Sequence, residues 1–121
     1  MTHNAIRNHL LTNLGMVDRP QLPDLPTLRE SQRSREFERL CSNRMAMGAF
    51  RYGLLEDQRR AGSPFNNVGS IFRRLLAYKR TGNLEHIIDA ANLCMIEFET
   101  GNHPKRHLQA EDDGEHTERK R

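Results

Sequence analysis

At 121 residues the chain is the length of one domain, and a second core is not expected. Hydrophobic residues make up 36% and charged residues 29%, enough to fold but with little apolar surplus for so short a chain, which points toward self-association as a homo-oligomer. Lys and Arg outnumber Asp and Glu by 19 to 16, a formal charge of +3. That surplus suits an anionic partner, whether a nucleotide, a nucleic acid or an acidic protein face, and falls short of the basic footprint of a dedicated duplex binder.

Met1 to Leu14 mixes Thr, His, Asn and Arg with its leucines and offers neither the apolar core of a signal peptide nor a membrane-length run, so a cytoplasmic protein is expected. Ala5 to Leu14 can form a short amphipathic helix through Ile6, Leu10 and Leu11. Pro20 to Pro26 then interrupts helix, and its interleaved Leu22, Pro23, Leu25 and Pro26 suit either an extended arm lying in a groove or a solvated linker. The first 26 residues therefore read as a helix and a Pro-rich arm.

A second helix is expected from Thr27 to Gly53, since Thr27 followed by Glu30 has the form of a capping box and Gly53 is a ready stop. Phe37, Leu40, Cys41, Met45, Met47 and Phe50 recur along it at helical spacing. Leu54 to Pro64 reads as a connection that can begin with an extra helical turn. The best-patterned segment follows: Val68, Ile71, Phe72, Leu75 and Leu76 stand at i, i+3, i+4, i+7 and i+8, behind Asn66 or Asn67 as cap. Gly82 ends that helix, and Asn83 caps a last one from Leu84 to about Glu99, closed by Gly101 and Pro104. So tight a junction predicts an antiparallel hairpin over Val68 to Phe98 with the preceding Arg-rich helix alongside. The fold class is all-α, a small helical bundle whose core domain spans residues 27–101. Residues 102–121 are expected to be a polar tail, disordered over Ala110 to Arg121. Cys41 and Cys94 lack ligand spacing and are expected to be reduced, packed thiols.

Three groups of residues can carry chemistry. Arg44, Arg51, Arg73 and Arg74, with Tyr52 and Tyr78, can build an anion pocket, because guanidinium binds phosphate in a two-pronged fashion and tyrosine adds stacking or a hydroxyl; a solvated helix face explains the same run. The junction Thr81 to Asn83 offers backbone N–H groups at a helix N-terminus, either as a phosphate seat or as a simple cap. Glu85, Asp89 and Asn92 fall at i, i+4 and i+7 and can present oxygen ligands to Mg2+, or else pair with arginines of the neighbouring helix. His103, His107 and His116 match no tight metal site, and no catalytic triad, Walker loop or zinc-finger spacing is present.

The stretch RMAMGAFRYG (Arg44 to Gly53), then IFRRLLAYK (Ile71 to Lys79) and GNLEHIIDAANL (Gly82 to Leu93), resembles small proteins of phages and other mobile elements. Its layout is also similar to the phage dATP/dGTP diphosphohydrolase-like proteins related to the all-α MazG-type nucleotide pyrophosphohydrolases. Over residues 44–98 the resemblance implies that Arg51, Tyr52 and Gly53 match a basic-Tyr-Gly element, and that Glu85, His86, Asp89 and Asn92 match the polar face of the last helix. MazG-type enzymes complete their magnesium site with an ExxE pair on an earlier helix, and this sequence has no clear equivalent. The leading expectation is a binding protein for a phosphate-bearing ligand or an acidic host protein, with antagonism of host defence implied by the resemblance. The alternatives are a Mg2+-dependent nucleotide pyrophosphohydrolase and a structural homo-oligomer.

Overall fold

The computed structural model describes residues 3–13 and 23–109. Among these residues the backbone forms six α-helices and no strand, the all-α architecture expected from the helical periodicity. No helix among them is long and apolar enough to cross a membrane. The chain divides into two compact units, Met1–Arg33 with His107–Arg121, and Ser34–Arg106.

The first unit holds α1 (His3–Asn13) and α2 (Leu25–Ser31). The Pro-rich arm lies partly outside the described residues, but its end is helical: Pro26 sits in the first turn of α2, where a missing N–H costs nothing. Asp24, the residue before the helix, accepts a bond from the Thr27 hydroxyl at 2.7 Å. The polar tail from Ala110 onward is likewise outside the described residues.

The single helix expected from Thr27 to Gly53 is in fact two. The cause is local hydrogen bonding by serine, which competes with the helical ladder. The Ser31 hydroxyl donates to the carbonyl of Leu28 at 2.9 Å, and Ser34 accepts the Phe37 N–H at 3.1 Å, so a fresh helix α3 (Arg35–Tyr52) starts behind its own cap. Glu36 and Glu38 in its first turn suit the positive end of the helix, and Arg39 holds the Glu36 carboxyl below the usual range through a hydrogen bond at 2.7 Å.

Gly53 ends α3 at φ 85°, and the connection beyond it forms a complete short helix, α4 (Leu55–Ala61), ended by Gly62. Asn66 accepts the Gly69 N–H at 3.0 Å and opens α5 (Asn67–Thr81). Gly82 takes the left-handed conformation, φ 71° and ψ 9°, and its N–H returns to Tyr78. Asn83 accepts the Glu85 N–H at 3.0 Å and opens α6 (Glu85–Thr100). At the far end of α6 the Arg106 guanidinium donates to the carbonyls of Phe98 and Gly101, a cation on the negative end of a helix.

Helix α6 is the axis of the second unit: α5 folds back along it, and α3 and α4 pack on it as well. Ile88 and Ala90 are its buried apolar residues, and Thr100 is anchored through its carbonyl to Ser63 N–H at 3.2 Å. The core is thin. Of the apolar stripe on α5 only Ile71 is half-buried, while Val68, Phe72, Leu75 and Leu76 are exposed. Both cysteines are free, Cys41 half-buried and Cys94 exposed, so the expectation of packed thiols is corrected for Cys94, which lies on the outer side of α6. Burial pushes the Cys41 thiol up from its ordinary range, favouring the neutral form.

Candidate functional site

Because α3 and α5 both lean on α6 and meet each other little, a cleft of about 610 Å³ remains between them, floored by α6. Its walls follow from helical spacing. Arg44, Met45, Gly48, Arg51 and Tyr52 lie on one side of α3, and Ser70, Arg73, Arg74 and Ala77 recur at three- and four-residue intervals on α5. Asp89, Asn92, Leu93 and Ile96 do the same on α6, while Gln58 of α4, Phe65 and Asn67 close one end.

The ion pairs are concentrated at the opposite end, while Arg51 lies beside Tyr52. Asp89, with a side chain only 14% exposed, lies between two guanidinium groups: Arg44 Nε donates to its Oδ1 at 3.3 Å, and Arg74 Nη1 stands 3.8 Å from Oδ2. Arg44 also reaches Glu85 Oε1 at 3.1 Å. The hydrogen bond and charge of Asp89, joined by the charge of Glu85, raise the Arg44 pKa above its ordinary value, so this cation is fixed at every accessible pH. Arg73 bonds to the Ser70 hydroxyl at 2.9 Å, and among the described residues no carboxylate lies within ion-pair distance of Arg51 or Arg73. Four arginines thus line the cleft against one lining carboxylate.

The other end is aromatic and amide-rich. The Tyr52 and Phe65 rings meet edge to face, centroids 5.5 Å apart at 74°. Asn67, buried at the start of α5, donates to Ser63 Oγ at 3.3 Å and to Glu97 Oε1 at 3.4 Å. Gln58 presents a buried Oε1 that has no hydrogen-bond partner among the described residues, as does His86 Nδ1. Asp89 and Glu97 are two turns apart on α6, which sets the two ends of the cleft about 12 Å apart.

Most of the residues singled out from the sequence converge here: Arg44, Arg51, Tyr52, Arg73, Arg74, Asp89 and Asn92 line one cleft. Tyr78 is half-buried and does not line it, and Asn83 is occupied as the cap of α6. The Thr81 to Asn83 junction satisfies itself, with Thr81 Oγ1 accepting the Asn83 N–H at 3.3 Å, which fits a cap. Of the residues considered as magnesium ligands, Glu85 and Asp89 are ion-paired to arginines, and the Asn92 amide donates to the Cys41 carbonyl at 3.0 Å, tying α6 to α3. Among the described residues no group of three or more His, Cys, Asp or Glu side chains could hold a metal ion. His103 Nδ1 accepts the Lys105 N–H at 2.9 Å and so serves the backbone.

Sequence reasoning missed Gln58, Phe65, Asn67 and Ser70. Phe65 carried a usable signal, an aromatic residue between Pro64 and a helix cap, where no apolar stripe requires one. Gln58 carried none, since α4 reads as an ordinary polar helix. No protein-family model matches this chain, and no curated protein or solved structure is significantly similar to it.

Proposed function

We propose that the chain is a binding protein for a nucleotide-like ligand, held in the cleft between α3, α5 and α6. The observation that carries this reading is the gathering of Arg44, Arg51, Arg73 and Arg74 in a single cleft with Asp89 as the one lining carboxylate. An excess of fixed guanidinium charge in a concave, partly desolvated space favours phosphate, which arginine grips through two parallel hydrogen bonds. Arg51 and Arg73 supply that grip, while Asp89 holds Arg44 and Arg74 in place.

The aromatic end supports the rest of the ligand. A base stacked near Tyr52 and Phe65 would bring its polar edge to Gln58 and Asn67, and about 12 Å of cleft spans a base and its phosphates. A volume of about 610 Å³ lies within the range of small-molecule sites. Glu85 and Asp89 act in this reading as counterions to arginine, which sets it apart from a magnesium-dependent pyrophosphohydrolase.

Calorimetric titration with ATP, dATP, adenosine and pyrophosphate tests the proposal. Nucleotides are expected to bind more tightly than either fragment, and Arg51→Ala and Arg73→Ala to weaken them roughly 10- to 100-fold each. Magnesium-dependent pyrophosphate release lost in Asp89→Ala would favour the enzymatic reading instead. No binding by any of the four ligands at millimolar concentration would sink both.

A further inference from the structure

The α5–α6 hairpin has two unlike faces. Ser70, Arg73, Arg74 and Ala77 of α5 line the cleft, whereas Val68, Phe72, Leu75 and Leu76 occupy the roughly opposite side of the same helix. Helix α6 repeats the pattern: Asp89, Asn92 and Ile96 face the cleft, while Leu84, Ala91, Met95 and Phe98 lie on the far side. By that spacing the outer residues of both helices fall on the side of the hairpin away from the cleft. Phe72 is 63% exposed, Leu76 65% and Phe98 66%, in a unit whose buried apolar side chains are Ile88 and Ala90.

A surface of this kind needs a cover. The exposed parts of Val68, Phe72, Leu75, Leu76, Leu84 and Phe98 leave on the order of 600 Å² of apolar surface open, at the upper limit of what a stable monomer shows. A standard interface buries roughly 800 Å² per partner, a little over half of it apolar, so this face meets the whole apolar requirement of a stable dimer. The outer arc of α6, from Leu84 through Ile87, Ala91 and Met95 to Phe98, carries no charged side chain, and that of α5 is apolar from Val68 to Leu76 before Lys79 continues it toward the turn. A patch so largely apolar offers little to a charged partner, whereas a two-fold axis normal to it matches apolar surface to identical apolar surface.

We propose that this face is covered by the same face of a second copy of the chain, two α5–α6 hairpins closing into a four-helix bundle with the ligand clefts directed outward. Phe72, ten residues before the Gly82 turn, and Met95, thirteen after it, stand near the middle of their helices and so near the two-fold axis. The geometry is that of αα-hairpins packed by interdigitating apolar ridges. Because the arginine cleft lies on the opposite side, the interface stands independently of what the cleft binds.

Light scattering coupled to size-exclusion chromatography of the full chain gives the test. The wild type is expected at the mass of two chains at micromolar concentration. Phe72→Glu and Leu76→Lys, each at a solvent-facing helical position, are expected to weaken association at least about 100-fold and move the peak to one chain. Phe50→Glu is the control, since Phe50 is 94% exposed and belongs to α3, outside the hairpin, and it should remain dimeric. Helix content by circular dichroism separates dissociation from unfolding. A one-chain wild type would overturn the proposal and leave the face to a segment of the same chain or to another protein. A dimer that survives both hairpin substitutions, or that breaks at Phe50, would overturn it equally.

Discussion

Asp89 separates the two functional readings of the cleft. Its carboxylate stands 3.3 Å from Arg44 and 3.8 Å from Arg74, and its side chain is 14% exposed, so its charge is used to hold two guanidiniums from different helices. Asp89→Asn keeps the shape and one hydrogen-bonding oxygen but leaves Arg74 without its counterion and Arg44 with Glu85 alone. The fold is expected to lose about 1–2 kcal/mol, less than for a fully buried pair because both arginines reach water. Phosphate affinity should rise, since the cleft gains a unit of positive charge; a magnesium site would instead lose its ligand. Thermal denaturation and nucleotide titration of the same variant read both effects, and weaker phosphate binding would contradict the counterion role. The arginines were legible in the sequence because their spacing put them on helix faces. Their pairing was not, because an i, i+4 carboxylate stripe fits a metal and a guanidinium equally well until the neighbouring helix is placed.

At the scale of the elements, the helix punctuation was read well wherever glycine or asparagine fixed it and poorly where serine did. Gly53, Gly82, Asn66 and Asn83 all act as expected from the sequence. The capping-box pattern of Thr27 and Glu30 pointed to one long helix, but Thr27 bonds Asp24 while Ser34 caps a separate start, a competition between local hydrogen bonds of similar strength. Two glycines carry opposite expectations. Gly82 sits at φ 71°, where a Cβ meets no atom but the backbone is strained for any other residue, so Gly82→Ala should cost about 1 kcal/mol. Gly48 is inside α3 with only Tyr52 Cδ2 near its missing Cβ, at 3.9 Å, so Gly48→Ala should gain about 0.5–1 kcal/mol from helix propensity alone. Melting temperatures are expected to move several degrees in opposite directions, by about 4–8 °C per kcal/mol at this size. A rise for Gly82→Ala would mean that the turn joining α5 to α6 is not the left-handed one.

For the whole molecule, periodicity alone revealed that Val68, Phe72, Leu75 and Leu76 share a face, but it could not say whether that face meets the same chain or another copy. The thin core around Ile88 and Ala90 makes the difference energetic as well as geometric. A fold that buries so little by itself gains stability from association, and association follows mass action: folded dimer becomes two unfolded chains, so dilution favours unfolding. The melting temperature of the wild type is therefore expected to rise with protein concentration, a hundredfold increase contributing about 2.7 kcal/mol per dimer. Phe72→Glu should melt at a lower temperature that does not change with concentration, because its unfolding no longer includes dissociation. Differential scanning measurements over two decades of concentration would distinguish this from a merely weak monomer. A wild-type melting temperature independent of concentration would mean that the hairpin face contributes nothing to the stability of the folded state through a second copy.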